Sequence, residues 1–501
     1  PLLSVNGALN VNGTCTINIA NGALFVGQIP LVHYGSLTGP GSLALGTLPA
    51  GVTASLSNNV ANSSIDLVIT AALESNNLIY WNGNLSAVWD INTTPNWKFS
   101  NQTGLTYSDT NQVFFDDTAS GNFAVTLSSL VQPASLTFSN SVNNYSLSGS
   151  GGIGGTTELA KSGTGVLTLN NANNYSGTTL VNSGALVLDN LNAVAGGLLN
   201  VSNGSVVQPD LAGTYATVPV MLNGASSANG SFGGSLDFHS GGVTTVTWPG
   251  QITLNRPDAT IGSYGVANTV TLSGQLTGGG GLTFRPEGGS SASHTATLML
   301  ANANNNYAGS TTMQVGAAEA AATLKLGVNN GLPATTTLNL NRVASSGVVY
   351  FDLAGYSQKV AGLTANFGSN AVINSTGTGT LTVSNNADTV FNGAIGASGK
   401  AAINLVKQGG GTLTLNGNNL YTGTTTIGNG TLALNGLITA TTGLLMSSNA
   451  TFQPAVGGAG GNSTITVYGN VTLAGQISVS DYGIVSNTSY PVIYYNGKLT
   501  N

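Results

Sequence analysis

Two stretches decide how this chain folds. One reads Leu159-Ala160-Lys161-Ser162-Gly163-Thr164-Gly165-Val166-Leu167-Thr168-Leu169, the other Leu405-Val406-Lys407-Gln408-Gly409-Gly410-Gly411-Thr412-Leu413-Thr414-Leu415. The first continues through Tyr175-Ser176-Gly177-Thr178-Thr179 and Gly184-Ala185-Leu186-Val187-Leu188. The second continues, without a gap in the alignment, through Tyr421-Thr422-Gly423-Thr424-Thr425 and Gly430-Thr431-Leu432-Ala433-Leu434. A looser third copy holds Leu298, Leu300, Tyr307, Gly309, Thr311 and Leu324. Leucines two apart give each short strand one inward face. The glycines let the backbone turn where a Cβ would clash. Tyr175 and Tyr421, flanked by Asn and Gly, can lie over the turn and send a hydroxyl to solvent or to a backbone carbonyl.

Working outward, the same period of two recurs along the chain, as in Val243-Thr244-Thr245-Val246-Thr247 and Gly379-Thr380-Leu381-Thr382-Val383. Asn-Gly, Gly-Gly and Asn-Asn punctuate these runs. Only Gly316-Ala317-Ala318-Glu319-Ala320-Ala321-Ala322 favours a helix, for two turns at most and without a broad apolar face. The class is all-β. A unit this short buries too little by itself, so units must stack.

Composition says how they stack. Of 501 residues, Lys and Arg number 10, Asp and Glu 16, and Gly 71. When coils lie one on another, equivalent corners form ladders of like residues. Neutral Asn, Thr and Ser tolerate this, whereas like charges about 4.8 Å apart repel. The predicted architecture is therefore a right-handed parallel β-helix. At about 20–25 residues per coil it would form an elongated rod on the order of 100 Å. A string of β-sandwiches is the alternative.

Several functions are excluded at this level. A net charge of −6 argues against a nucleic-acid partner. No apolar run is long enough for a transmembrane segment. The single cysteine, Cys15, forms no internal disulfide, and no His/Cys cluster suggests a metal; no cofactor is expected. In the alternating segment Thr14-Cys15-Thr16-Ile17, Cys15 reads as a small buried hydrophobe.

At the repeated residues the chain resembles the passenger-associated transport repeat, also called the autotransporter-associated β-strand repeat. Flanking stretches share the likeness, among them Trp81-Asn82-Gly83, Ala134-Ser135-Leu136-Thr137-Phe138 and Gly279-Gly280-Gly281-Leu282-Thr283. The resemblance implies a right-handed β-helical passenger region exported to the bacterial cell surface. It also implies a C-terminal membrane barrel elsewhere in such proteins; this sequence closes on Lys498-Leu499-Thr500-Asn501 without one.

The expected organisation is a β-strand segment over 1–80, a Trp-containing lead-in over 81–158, a solenoid over 159–464 and terminal strands over 465–501. The repeats lie at 159–188, 298–326 and 405–434. The two ends resemble each other: Val5-Asn6-Gly7 answers Val467-Tyr468-Gly469, and Ile29-Pro30-Leu31-Val32-His33-Tyr34 answers Tyr490-Pro491-Val492-Ile493-Tyr494-Tyr495. This suggests identical subunits or tandem copies stacking end to end, since uncapped coils present open strand edges.

No catalytic constellation emerges, and the chain reads as a non-enzyme. Of the carboxylates only Asp116 and Asp117 are adjacent, and they suit a turn. His33, His239 and His294 lie far apart; Asp237-Phe238-His239 lacks a nucleophile motif. Lys161 and Lys407, at the same repeat position, read as exposed stems with the ammonium in water. Trp81, Trp89 and Trp97 read as a buried plug between solenoid stretches, with glycan contact as the alternative. The repeat residues Lys161, Gly163, Gly165, Leu167, Leu169, Tyr175, Gly177 and Thr179 are assigned to the architecture. Their counterparts Lys407, Gly409, Gly411, Leu413, Leu415, Tyr421, Gly423 and Thr425 are assigned likewise. The function read from the sequence is a structural, surface-displayed or filament-forming solenoid. The alternative is an adhesin binding glycans or surfaces, and a polysaccharide-degrading β-helix is the third reading.

Overall fold

The computed structural model describes all residues except 1–2, 20–26, 49–51, 72–76, 100–102, 226–233, 240–243, 265–267, 288–294, 316–320, 344–346, 458–461 and 486–487. Among the described residues there is no α-helix, and a 3₁₀ turn, Val60–Asn62, is the one helical element. Most of the helix expected over 316–322 lies outside them; its last two residues, Ala321 and Ala322, open the strand Ala321–Leu326. The chain divides into two compact units, Pro1–Ile79 with Thr110–Gln112, and Tyr80–Asp109 with Val113–Asn501.

The larger unit is a parallel β-solenoid of about 18 turns. Its continuous face is a parallel ladder that begins at Val88–Trp89 and ends where Gln476–Ile477 and Ser480–Asp481 both join Ala450–Val456. The alternation seen in the sequence sets its register. Leu167 lies opposite Leu186, Leu186 opposite Val207, and Val207 opposite Leu236. The column continues through Ile261, Phe284, Met313 and Leu340, all fully buried. Each such side chain contributes about 1.5–3 kcal/mol by leaving water, and the core is this set of stacked columns.

Two further faces flank the continuous one, and each is interrupted. The second consists of a ladder ending at Leu276–Thr277 and another running from Ser357–Val360 to Leu499–Thr500. The third begins at Gly213–Thr214, runs to Ala394–Ile395, and resumes at Asn418–Asn419. Coils joined by side-chain bonds are 20 residues apart at Asn171–Gly151 and 29 apart at Leu276–Asn305, so coil length varies with what each face carries. At its N-terminal end the second face contains antiparallel pairs, Trp97–Lys98 against Leu78–Trp81 and against Thr103–Leu105.

The smaller unit departs from winding in one direction. Leu3–Asn10 pairs in parallel with Gly27–Thr38, and Thr14–Ile17 with Ser42–Leu45. Gly27–Thr38, however, also pairs antiparallel with Ser64–Ala71, which is antiparallel to Thr53–Asn59. The reason is local. Asn59 accepts the backbone N–H of Asn62 at 3.3 Å, and Ser63 adopts a left-handed conformation (φ 49°), reversing the chain into a hairpin. Leu31, Leu67 and Ile69 form the core there. Cys15 is exposed rather than buried, because its strand belongs to a two-stranded sheet and its neighbours Thr14 and Thr16 are exposed as well. The likeness of the chain's ends has a structural counterpart: Val5 lies opposite Tyr34, and Val467 opposite Tyr495, both in parallel pairs.

Candidate functional site

The lysine of the repeat is placed where the sequence reading did not expect it. Lys161 and Lys407 have no exposed surface. Each stem curls into the turn that follows its strand. The Lys161 ammonium donates to the carbonyls of Ser162 (2.8 Å), Gly163 (2.8 Å) and, one coil on, Ser183 (3.3 Å). Lys407 donates to Gln408 (2.8 Å), Gly409 (2.9 Å) and Asn429 (3.2 Å). Three N–H donors meet three carbonyls that the turn leaves without partners. Burial pushes both ammonium groups down to about 8, opposed by the charge of Asp117 for Lys161 and of Asp388 for Lys407. Snorkelling is ruled out because the coil above closes over the turn.

The glycine after each lysine turn allows this closure. Gly163 and Gly409 have φ of 75° and 76°, and a Cβ on either would lie 2.3 Å from the carbonyl oxygen of Asn140 or Asn385 in the coil below. Those asparagines are buried and complete the corner. Asn140 donates to the carbonyls of Asn143 (2.6 Å) and Val166 (3.1 Å), and Asn385 to those of Ala387 (2.9 Å) and Thr412 (2.8 Å).

The tyrosine hydroxyl goes neither to solvent nor to a carbonyl. In every copy it pairs with the threonine four residues on: Tyr175 with Thr179 at 2.7 Å, Tyr307 with Thr311 at 2.6 Å, Tyr421 with Thr425 at 2.8 Å. Burial raises the tyrosine pKa values, to about 12 for Tyr175. The threonines continue upward, Thr311 to Thr336 and Thr425 to Thr441, each at 3.0 Å.

Two residues before each tyrosine stands an asparagine whose role the sequence reading missed. Asn173 accepts the Ile153 N–H (2.8 Å) and donates to the Ala193 carbonyl (2.6 Å). Asn305 joins Leu276 to Gly331 at 2.7 and 2.8 Å, and Asn419 joins Ile395 to Leu437 at 2.9 and 3.1 Å. One side chain thereby carries a ladder across a face where the strand is missing, at Asn173 and Asn305, or only two residues long, at Asn418–Asn419. The first and last copies do this on the third face. The middle copy does it on the second face, with its leucines on the third and Thr311 on the continuous one. The recurrence of Asn two positions before Tyr in all three copies was the available signal.

A family model described as the passenger-associated-transport-repeat matches residues 159–188, 295–316 and 405–434, the segments in which this staple occurs. The chain carries three passenger-associated transport repeats. A curated relative of the chain is the adhesin BmaC autotransporter of Brucella suis biovar 1 (strain 1330), 29% identical over 242 residues. The match covers 48% of this chain and 6% of that protein, so the chain spans a small part of its relative's length. No solved structure matches.

Outside the transport repeats, the tryptophans close the start of the larger unit. Trp81, Trp89 and Trp97 have no exposed surface; their rings meet at 5.0 Å (Trp81–Trp97) and 5.2 Å (Trp89–Trp97), with Tyr107 and Phe115 alongside. Rings without exposed surface cannot stack on a sugar, so these three occupy the plug position and the alternative of glycan contact falls away for them. A different aromatic ring borders open space nearby. A shallow groove of about 620 Å³ is lined by half-buried Phe123 with Asn84, Asn122, Asn144, Ser146 and Thr168, all uncharged.

The acid–base candidates are occupied by turns and ladders. Asp117 accepts the backbone N–H groups of Asn143, Ser141 and Val142 at 2.9, 2.8 and 3.1 Å, which hold its carboxyl below the usual range. Asp116 accepts both donors of Thr118. His239 pairs with Asp210 of the preceding coil at 2.7 Å and stacks on Tyr264; the Asp210 bond raises its pKa. His294 lies outside the described residues. Among the described residues no group of three His, Cys, Asp or Glu could hold a metal, and no helix is long and apolar enough to cross a membrane.

Proposed function

We propose that this chain is a stretch of a surface β-helical passenger region that works as a non-enzymatic scaffold, holding its coils in register outside the cell. One observation carries the reading: the recurring polar groups of the transport repeat are buried and spent inside the solenoid, on their own turn and on neighbouring coils. The Lys161 ammonium, the Tyr175 hydroxyl and the Asn173 amide all bond inward. The motif builds a coil; it does not face a substrate. The repeat family and the adhesin relative support a secreted or surface-exposed location and a role other than catalysis. Electron microscopy of the purified chain and surface labelling of the producing cell test this. Uniform solenoid particles and accessible surface epitopes are expected; intracellular retention, or turnover of an acidic glycan, would overturn it.

Joining of like copies end to end is the finer part of the proposal. Its support is the shared parallel register, Val5 opposite Tyr34 and Val467 opposite Tyr495. Sedimentation at rising concentration should show mass increasing in whole copies; a chain monomeric throughout excludes it. Adhesion is the second reading, favoured by the relative and by the neutral groove around Phe123. Glycan-array binding lost in Phe123→Ala but kept in Trp89→Phe would establish it.

A further inference from the structure

Three Asn-Gly pairs, Asn392-Gly393, Asn416-Gly417 and Asn435-Gly436, stand on three successive coils. Their side chains form a directed chain: Asn435 Nδ2 donates to Asn416 Oδ1 at 2.9 Å, and Asn416 Nδ2 donates to Asn392 Oδ1 at 2.6 Å. Asn416 and Asn435 are exposed, and Asn392 is half-buried. The glycines stack as closely as backbone permits, since a Cβ on Gly417 would lie 2.1 Å from the Gly393 carbonyl oxygen and one on Gly436 2.0 Å from that of Gly417.

Asn-Gly is the dipeptide in which the following amide nitrogen most easily reaches the side-chain carbon, because glycine has no Cβ in the way. From this arrangement we infer that the ladder is a site of spontaneous covalent modification, and that conversion of Asn435 unlocks conversion of Asn416. At Asn416 the Gly417 nitrogen attacks Cγ. The side-chain nitrogen leaves as ammonia, taking the Gly417 amide proton. Water then opens the succinimide at either carbonyl to aspartate or isoaspartate; no oxidant or reductant is involved. Reaction requires the Asn416 side chain to swing back toward its own main chain. The ladder prevents that swing by holding both ends of its amide.

The direction of the bonds makes the two neighbours unequal. Aspartate in place of Asn435 removes the donor to Asn416 Oδ1 and sets oxygen against oxygen. Aspartate in place of Asn392 keeps, and strengthens, the acceptor for Asn416 Nδ2. Modification therefore runs down the ladder from Asn435. Each step adds one negative charge to a chain of net −6, and isoaspartate adds a methylene to the main chain at the closest contact between coils.

The test is peptide mass mapping of the folded chain during incubation at mildly alkaline pH, with the exposed Asn496-Gly497 as internal reference. Asn416 should convert more slowly than Asn496. In Asn435→Asp the Asn416 rate should rise about fivefold, the equivalent of roughly 1 kcal/mol; in Asn392→Asp it should stay level or fall. Circular dichroism of both variants checks that the coils are intact. An Asn416 rate unchanged in Asn435→Asp, or raised equally in both variants, overturns the inference.

Discussion

Replacing Lys161 by methionine isolates what the buried ammonium does. The stem is preserved and the apolar fill is similar, but the carbonyls of Ser162, Gly163 and Ser183 each lose a donor within 3.3 Å. An acceptor left unsatisfied in a buried corner costs about 1 kcal/mol or more, so the corner should weaken by about 3 kcal/mol. A stacked array opens locally rather than all at once, and a single melting temperature would dilute the effect. The assay is native-state hydrogen exchange read at the amides that close the corner. These are Gly165, bonded to Asn140 at 2.9 Å, and Val206, bonded to Gly184 at 3.0 Å. About 3 kcal/mol corresponds to exchange faster by roughly a hundredfold. The equivalent amide in the second corner, Gly411 on Asn385, should not change, since the sites share no partner. Unchanged exchange at Gly165, or acylation of Lys161 in the folded protein as fast as that of exposed Lys400, would refute the argument.

The other predictions concern the same staple. Tyr421→Phe should cost about 1 kcal/mol by removing the Thr425 bond, and Tyr421→Ala about 3–5 kcal/mol by emptying the site, both read in chemical denaturation. Asn305→Ala exposes the Leu276 N–H and the Gly331 carbonyl and should cost about 2–3 kcal/mol, with faster exchange confined to those coils. Stability should vary with pH in two opposing windows, measurable by denaturation at fixed temperature. The lysine pKa values are lowered in the fold to about 8 from 10.5, so the unfolded chain binds more protons between those values and stability rises across that range. The tyrosine values are raised above 10, so the unfolded chain releases protons first and stability falls beyond pH 10. Iodide should quench Trp89 fluorescence weakly or not at all, whereas an open glycan platform would quench readily.

The columns of the solenoid were legible because period-two leucines and the near absence of charge each constrain stacking, and they agree. Leu167 and Leu413 face inward as their alternation requires. The fate of polar groups was not legible in the same way. Whether Lys161 reaches water depends on the coil above it, twenty-odd residues later, which local spacing does not describe. Cys15 misled for the opposite reason: its alternating segment suits a buried strand, but its two-stranded sheet leaves it exposed. The antiparallel hairpin of the smaller unit was foreshadowed only by the Asn58-Asn59 and Asn62-Ser63 pairs that frame its turn.

The middle repeat, set one face round from the other two, shows that the staple carries no memory of angular position. A segment bearing it can close whichever side happens to lack a strand. Lengthening such a chain therefore does not require duplicating complete windings. Fragments of a third of a turn, recombined out of phase, would still meet a neighbour able to receive them, and a solenoid of this kind can grow or shrink by increments finer than its own coil.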